Sequence, residues 1–152
     1  MNTFPLLTIL TLIPLLGGVA ALLASNRPKL ARGVAFSFSL LALAVAALLW
    51  AAFDTHQSGW QFVERLPWVP ALGVDYHLGV DGLGLLMVLL SALIVPFAML
   101  ASWRIAQNPK LFFALMLFLE AGLFGTFTAL NFFHWFLYWE LGLIPAFFLI
   151  KI

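Results

Sequence analysis

The sequence predicts an all-α fold, a polytopic membrane helical bundle of about five transmembrane helices, with the N-terminus out and the C-terminus in. Of 152 residues, 64% are hydrophobic and 9% are charged, whereas a soluble domain carries about a quarter charged residues to cover its wet surface. The charges also cluster, leaving residues 1–26, 33–53 and 82–103 without Asp, Glu, Lys or Arg. Each stretch is long enough, at ~1.5 Å rise per residue, to cross a hydrocarbon core of ~30 Å as a helix. Backbone groups in lipid must bond internally, so these stretches imply helices; a barrel would need short alternating segments.

The first span covers about residues 4–24, with Pro5 near its start, Pro14 as a kink point and Gly17-Gly18 as a site of close packing. No basic residue precedes this membrane-length apolar run, which reads as a retained helix rather than a signal peptide. Residues 25–32 follow as a basic connector carrying Arg27, Lys29 and Arg32. The second span, about 33–53, is rich in Ala and Leu and ends at Asp54. Residues 54–79 read as a loop lying at the membrane interface, where rings such as those of Trp60, Trp68 and Tyr76 are favoured.

The third helix covers about 80–103, with Asp81 in its first turn, where a carboxylate complements the helix dipole. Arg104 and Lys110 flank the next connector, which contains Asn108-Pro109. From 111 to 150 the chain is apolar except for Glu120, Asn131, His134 and Glu140. That is too long for one straight span, so a turn near Leu130-Asn131 divides it into helices of about 111–130 and 131–150. The spans form a single membrane domain over 1–152. The chain stops at Lys151-Ile152 at the end of an apolar helix, with no tail or cap, which suggests truncation.

Orientation follows from the connectors. Residues 25–32 carry +3, residues 54–79 carry −2, and Arg104 and Lys110 lie on the next connector. Lys and Arg concentrate on cytoplasmic connectors, which puts Lys151 inside.

The same counts exclude several functions. A net charge of +1 without a basic patch gives no nucleic-acid partner. With no Cys, there are no disulfides, thiolate nucleophiles or Cys-ligated clusters. His56, His77 and His134 form no metal-ligand spacing, so this chain is expected to hold no metal and no cofactor of its own.

Glu120 and Glu140 are the candidate functional residues. An acid in a membrane helix costs ~2.5–3.5 kcal/mol on insertion scales and by default marks a functional site. Counted from the turn at Asn131, Glu140 lies roughly 13.5 Å deep, and Glu120 on the antiparallel neighbour could share that depth. Two close carboxylates would be poised to bind and release protons. The alternative is that each is neutral or paired with a Lys of another helix and holds helices together. Pro145 lacks an N–H, so the Leu141 carbonyl loses its helical partner beside Glu140. His134 and Tyr138 share a side with Asn131, roughly opposite Glu140; they form either a proton port or an interfacial polar cluster with Trp135 and Trp139. Gly122, Gly125 and Ala129 make a small-residue strip suited to close packing. Asp81, in Leu78-Gly-Val-Asp81-Gly-Leu, reads as a structural helix start.

Two segments, Tyr76-His-Leu-Gly-Val-Asp-Gly-Leu-Gly-Leu-Leu-Met and Trp139-Glu-Leu-Gly-Leu-Ile-Pro-Ala-Phe-Phe-Leu-Ile150, carry a resemblance. They resemble subunit M, or chain 4, of proton-pumping NADH:quinone oxidoreductase, an antiporter-like membrane subunit. The resemblance runs over the whole chain, and the second segment is the more specific. It implies that Glu140, in the Trp-Glu motif, belongs to proton translocation, with a partner Lys on a later helix that this chain does not contain. The family often has an acid where Asn131 stands, and Glu120 matches no essential family residue. It further implies partners in the other membrane and peripheral subunits, flavin and iron–sulfur clusters on those subunits, quinone as the substrate of the complex, and a place in the cell inner membrane. A related sodium/proton antiporter or membrane-bound hydrogenase shares the Glu motif, and an inactive truncated remnant is the purely structural alternative.

Overall fold

The computed structural model describes residues 5–24, 28–105 and 107–152. Phe4 of the expected first span and Arg27 of the basic connector lie outside the described residues. Among the described residues five helices are long and apolar enough to span a membrane: α1 (Leu6–Leu23), α2 (Pro28–Ala52), α3 (Gly82–Ala101), α4 (Pro109–Thr128) and α5 (Phe132–Lys151). The turn expected near Leu130-Asn131 lies between α4 and α5, and Asn131 caps α5 by accepting from Phe133 N at 2.9 Å.

Two sequence boundaries shift for a physical reason. Helix α2 begins at Pro28, five residues before the expected start, and α4 begins at Pro109. Proline suits the first helical turn because its missing N–H would have no partner there. A boundary drawn at the last charge misses this, since Lys29 and Arg32 ride on the first turns of α2. Arg32 then reaches across to the α3–α4 connector, donating from Nη2 to the Ile105 carbonyl at 2.7 Å.

Residues 54–79 are not simply a loop. They contain an antiparallel hairpin, β1 (Gln61–Val69) and β2 (Val74–Val80), joined through a 3-10 turn at Pro70–Leu72 and Gly73 in the left-handed conformation. The described residues are therefore mostly helical with one hairpin, not all-α. A two-stranded hairpin alone is marginal in water, and this one is held by the bundle. Leu78 and Val80 are buried against Leu7, Leu10, Leu49 and Leu85. His77 O accepts from Leu130 N at 2.9 Å, and Leu78 forms an isolated bridge with Ala129. The hairpin thus covers one end of the bundle, which also holds the starts of α1, α3 and α5. At the other end lie Lys29, Arg32, Arg104, Lys110 and Lys151.

Helix α4 is the centre, packing against α1, α2, α3 and α5, whereas α5 meets only α4 and the hairpin among the elements it contacts closely. Close approach explains the small-residue strip. A Cβ on Gly122 would lie 2.6 Å from Gly142 N, and one on Gly125 would overlap the Tyr138 ring. Gly17 and Gly18 of α1 likewise admit the rings of Phe38 and Phe118.

Replacing Gly122 with Leu therefore forces α4 and α5 apart. We expect a loss of about 1–3 kcal/mol, the usual range for overpacking, read as earlier thermal unfolding of the detergent-solubilised protein; an unchanged midpoint refutes the contact.

Candidate functional site

The α4–α5 register places the two membrane acids. Gly122 faces Gly142 and Gly125 faces Tyr138, which sets Glu140 level with residues 123–124 and Glu120 level with 143–144. The two residues are therefore offset by three to four positions, or about 5 Å at ~1.5 Å rise. They do not share one depth. Each is also two positions from a residue in the α4–α5 contact, a turn of ~200° about its helix. Glu140 thus lies on the side of α5 away from α4, and Glu120 lies on the side of α4 away from α5.

Their surroundings differ accordingly. Glu120 is 0% exposed, and its Oε1 accepts from Ser39 Oγ of α2 at 3.3 Å. Its Oε2 is buried without a partner among the described residues. Glu140 is half-buried, on a face with the exposed side chains of Phe133, Phe136, Leu137, Ile144 and Phe147 nearby. The structure does not bring the two acids together.

Pro145 is buried inside α5, and the helix runs unbroken through it. Its ring removes the N–H that the Leu141 carbonyl would otherwise use. Asp81 sits one position before the first turn of α3, as its N-cap, accepting from Gly84 N at 2.7 Å; a capping carboxylate of this kind is a structural element.

His134 is 6% exposed, but its neighbours are not the expected Trp135 and Trp139. Those two stack on each other at 5.3 Å. The His134 ring instead packs edge-on against Tyr76 at 4.6 Å and Trp68 at 5.3 Å, both from the hairpin, and against Tyr138 at 5.4 Å. Its Nδ1 is buried without a partner among the described residues. These rings line an open groove of about 1170 Å³ between α1, β1 and the start of α5.

A residue that sequence reasoning passed over holds this end together. Glu64 of β1 is 8% exposed and caps α1 from outside: Oε1 accepts from Leu7 N at 2.7 Å, and Oε2 accepts from Thr8 N at 3.2 Å and from Thr8 Oγ1. Thr8 Oγ1 in turn lies 2.8 Å from the Tyr76 hydroxyl. A bulge aims the carboxylate. Phe62 takes φ 53°, and Phe62 and Val63 of β1 oppose the single residue Gly79 of β2 between the pairs Gln61–Val80 and Glu64–Leu78. The extra residue puts Gln61 and Glu64, three apart, both inward. One signal was available, because α1 has no acid in its first turn and begins after Pro5, which offers no capping side chain. Among the described residues no group of three or more His, Cys, Asp or Glu could hold a metal.

The family model for NADH-ubiquinone oxidoreductase chain 4, amino terminus, matches residues 6–126. The chain belongs to this family. Among relatives of chain 4 type, the chloroplast NAD(P)H-quinone oxidoreductase chain 4 of Chara vulgaris is 40% identical over 100% of this chain and 31% of its own length. Subunit M of the F(420)H(2) dehydrogenase of Methanosarcina mazei is 34% identical over 97% of this chain and 30% of its own length. The chain thus spans about 30% of the length of these curated relatives. A chain of respiratory complex I from Thermus thermophilus with bound NADH superposes with a TM-score of 0.77 and 26% identity, covering 92% of this chain and 27% of that one. The five-helix membrane fold and the chain 4 resemblance expected from sequence both hold.

Two outcomes follow from the hairpin end. Glu64→Ala leaves the first N–H groups of α1 without their acceptor and should cost about 1–3 kcal/mol, with Glu64→Gln losing less; equal stability of Glu64→Ala and the native protein in denaturant titration refutes the cap. Tyr76, on β2, has its phenol pushed above the usual tyrosine value by burial, with the Glu64 charge adding to this and the Thr8 hydrogen bond opposing it. A raised value favours the neutral phenol in the folded state, so this contribution is intact below about pH 10 and is lost as pH rises through the folded value. Tyr76→Phe should therefore flatten the alkaline fall in stability, and an identical alkaline profile in that variant excludes the effect.

Proposed function

We propose that this chain supplies the amino-terminal part of a membrane-arm subunit of NADH:quinone oxidoreductase, and that it takes part in proton translocation coupled to quinone reduction. Membership of the chain 4 family supports this reading most directly. The relatives named above differ in electron donor, NAD(P)H in one and F(420)H(2) in the other, yet match this chain over the same extent. That pattern supports a role in moving protons rather than in donor chemistry. Flavin and iron–sulfur clusters then belong to partner subunits, and quinone is the substrate of the complex. The whole chain forms one membrane domain in this reading, with the basic end at the cytoplasmic face of the inner membrane and the hairpin end outside.

Glu140 is the main proton-carrying group and Glu120 a second one. For Glu140 the support is its place in the Trp-Glu motif and its outward position on α5. A carboxylate there is available to a cationic partner on a further helix, and the Leu141 carbonyl freed by Pro145 adds an acceptor beside it. For Glu120 the support is an acid fully buried in the bundle with an oxygen that has no partner among the described residues, since an intramembrane acid is by default functional. The offset and opposite facing of the two acids favour separate proton-binding steps over direct exchange between them.

In the assembled complex, Glu140→Gln should reduce proton pumping to near background while assembly persists, and Glu120→Gln should reduce it partly. Pumping measured with a pH-sensitive dye in inverted membrane vesicles decides this: native pumping in Glu140→Gln defeats the role assigned to Glu140.

A further inference from the structure

Hydroxyl groups inside membrane helices normally satisfy themselves locally. Here Thr11, Ser37, Ser91, Thr126 and Thr128 each donate to the carbonyl four residues back in their own helix. Thr8 and Ser39 instead leave their helices, and both meet a carboxylate: Thr8 meets Glu64, and Ser39 meets Glu120. For Thr8 the reason is the cap on α1. Ser39 lies mid-helix, where no cap is needed.

The face of α2 that holds Ser39 makes the residue choice informative. Ala31, Ala35, Ala42 and Ala46 are all fully buried along the same inward row. Alanine is therefore the packing solution for this row, and Ser39 adds a single oxygen to it. A buried hydroxyl is unfavourable unless bonded. Its partner is Glu120, across the bundle on α4.

We propose that Ser39 is the positioning residue of Glu120: its hydroxyl engages Oε1, leaves Oε2 as the oxygen that binds and releases the proton, and sets the balance between the two forms. This rests on the reading of Glu120 as a proton carrier. A donor to a carboxylate favours the ionised form. No other charged group competes with it among the described residues. Helices α1 and α3 carry no charged residues, and Lys29 and Arg32 on α2, Lys110 on α4 and Lys151 on α5 lie at the basic end. On α5, Glu140 is on the far side and His134 and Tyr138 lie toward the hairpin end, as do Asp75, Tyr76 and His77 of β2. Ser39 also holds the Glu120 carboxyl against α2, which keeps it turned from α5.

Infrared difference titration of the full-length subunit in its assembled membrane complex tests this. Glu120→Gln should remove one carboxyl band. Ser39→Ala, which fits the alanine row, should keep that band, move its frequency and raise its titration midpoint, with the pH profile of pumping moving the same way. Ser39→Thr should restore both, and Ser39→Cys, a weaker donor of similar size, should fall between. A band and midpoint unchanged in Ser39→Ala overturn the proposal, as does lower thermal stability in that variant with the midpoint fixed, which would make Ser39 merely structural. If Glu120→Gln removes no band, Glu120 does not titrate and both readings fall. If it removes the band while pumping stays native, only the carrier role of Glu120 falls.

Discussion

Backbone polar groups placed in hydrocarbon must find their partners inside the protein, since lipid offers none. The helices satisfy their own interior backbone groups, but their first turns leave N–H groups free. At the hairpin end three such turns come together, and each is met by a side chain. Asp81 caps α3 from the residue before it, and Asn131 caps α5 in the same way. Helix α1 begins after a proline and has no such residue, so its cap comes from Glu64, in sequence far away on β1. The hairpin is thereby more than a connector between α2 and α3. It completes α1, and through the hydrogen bond from Leu130 N to His77 O it also fixes the turn between α4 and α5.

Close packing around α4 follows from the same absence of outside help. Between helices in lipid there is little hydrophobic driving force, and association depends on contact distance. Small residues where helices cross permit it: Gly122 and Gly125 against α5, Gly17 and Gly18 against Phe38 and Phe118, and the alanine row of α2. A Cβ at most of these glycines would meet atoms well inside van der Waals contact. The result is a helix surrounded on most sides, into which one carboxyl, that of Glu120, has been placed with a single hydroxyl partner.

Much of this was legible in the sequence because it depends on local composition. Uncharged runs gave the spans, Asn131 gave the turn, and the spacing of Gly122 and Gly125 gave the close face. The hairpin was not legible. Its strand 61–69 contains Pro67, and its bulge at Phe62 breaks the alternation that would reveal a strand. Its stability comes from distant partners, Leu7, Thr8 and Ala129, which no local pattern encodes. The same holds for the acids. Sequence distance from a turn put both at one depth, but their offset and the way each faces depend on helix register and rotation, which are set by the Gly122–Gly142 and Gly125–Tyr138 contacts.

The rotation of α5 also separates the two acids in mechanical terms. Glu120 sits on α4, which four other helices hold, and its hydrogen bond ties it to α2. Its position is fixed by the bundle and by that hydroxyl partner. Glu140 sits on α5, which is held along one side by α4 and at its start by the ring cluster of His134, Trp68, Tyr76 and Tyr138. The other side of α5, carrying Glu140, is free of contacts within the described residues that would fix its carboxyl. A group placed there responds to whatever charge is brought against that face, whereas Glu120 is shielded from it by α5 itself. The two carboxylates therefore differ in their surroundings: Glu140 is on the outward side of α5, and Glu120 is enclosed where α2 meets α4.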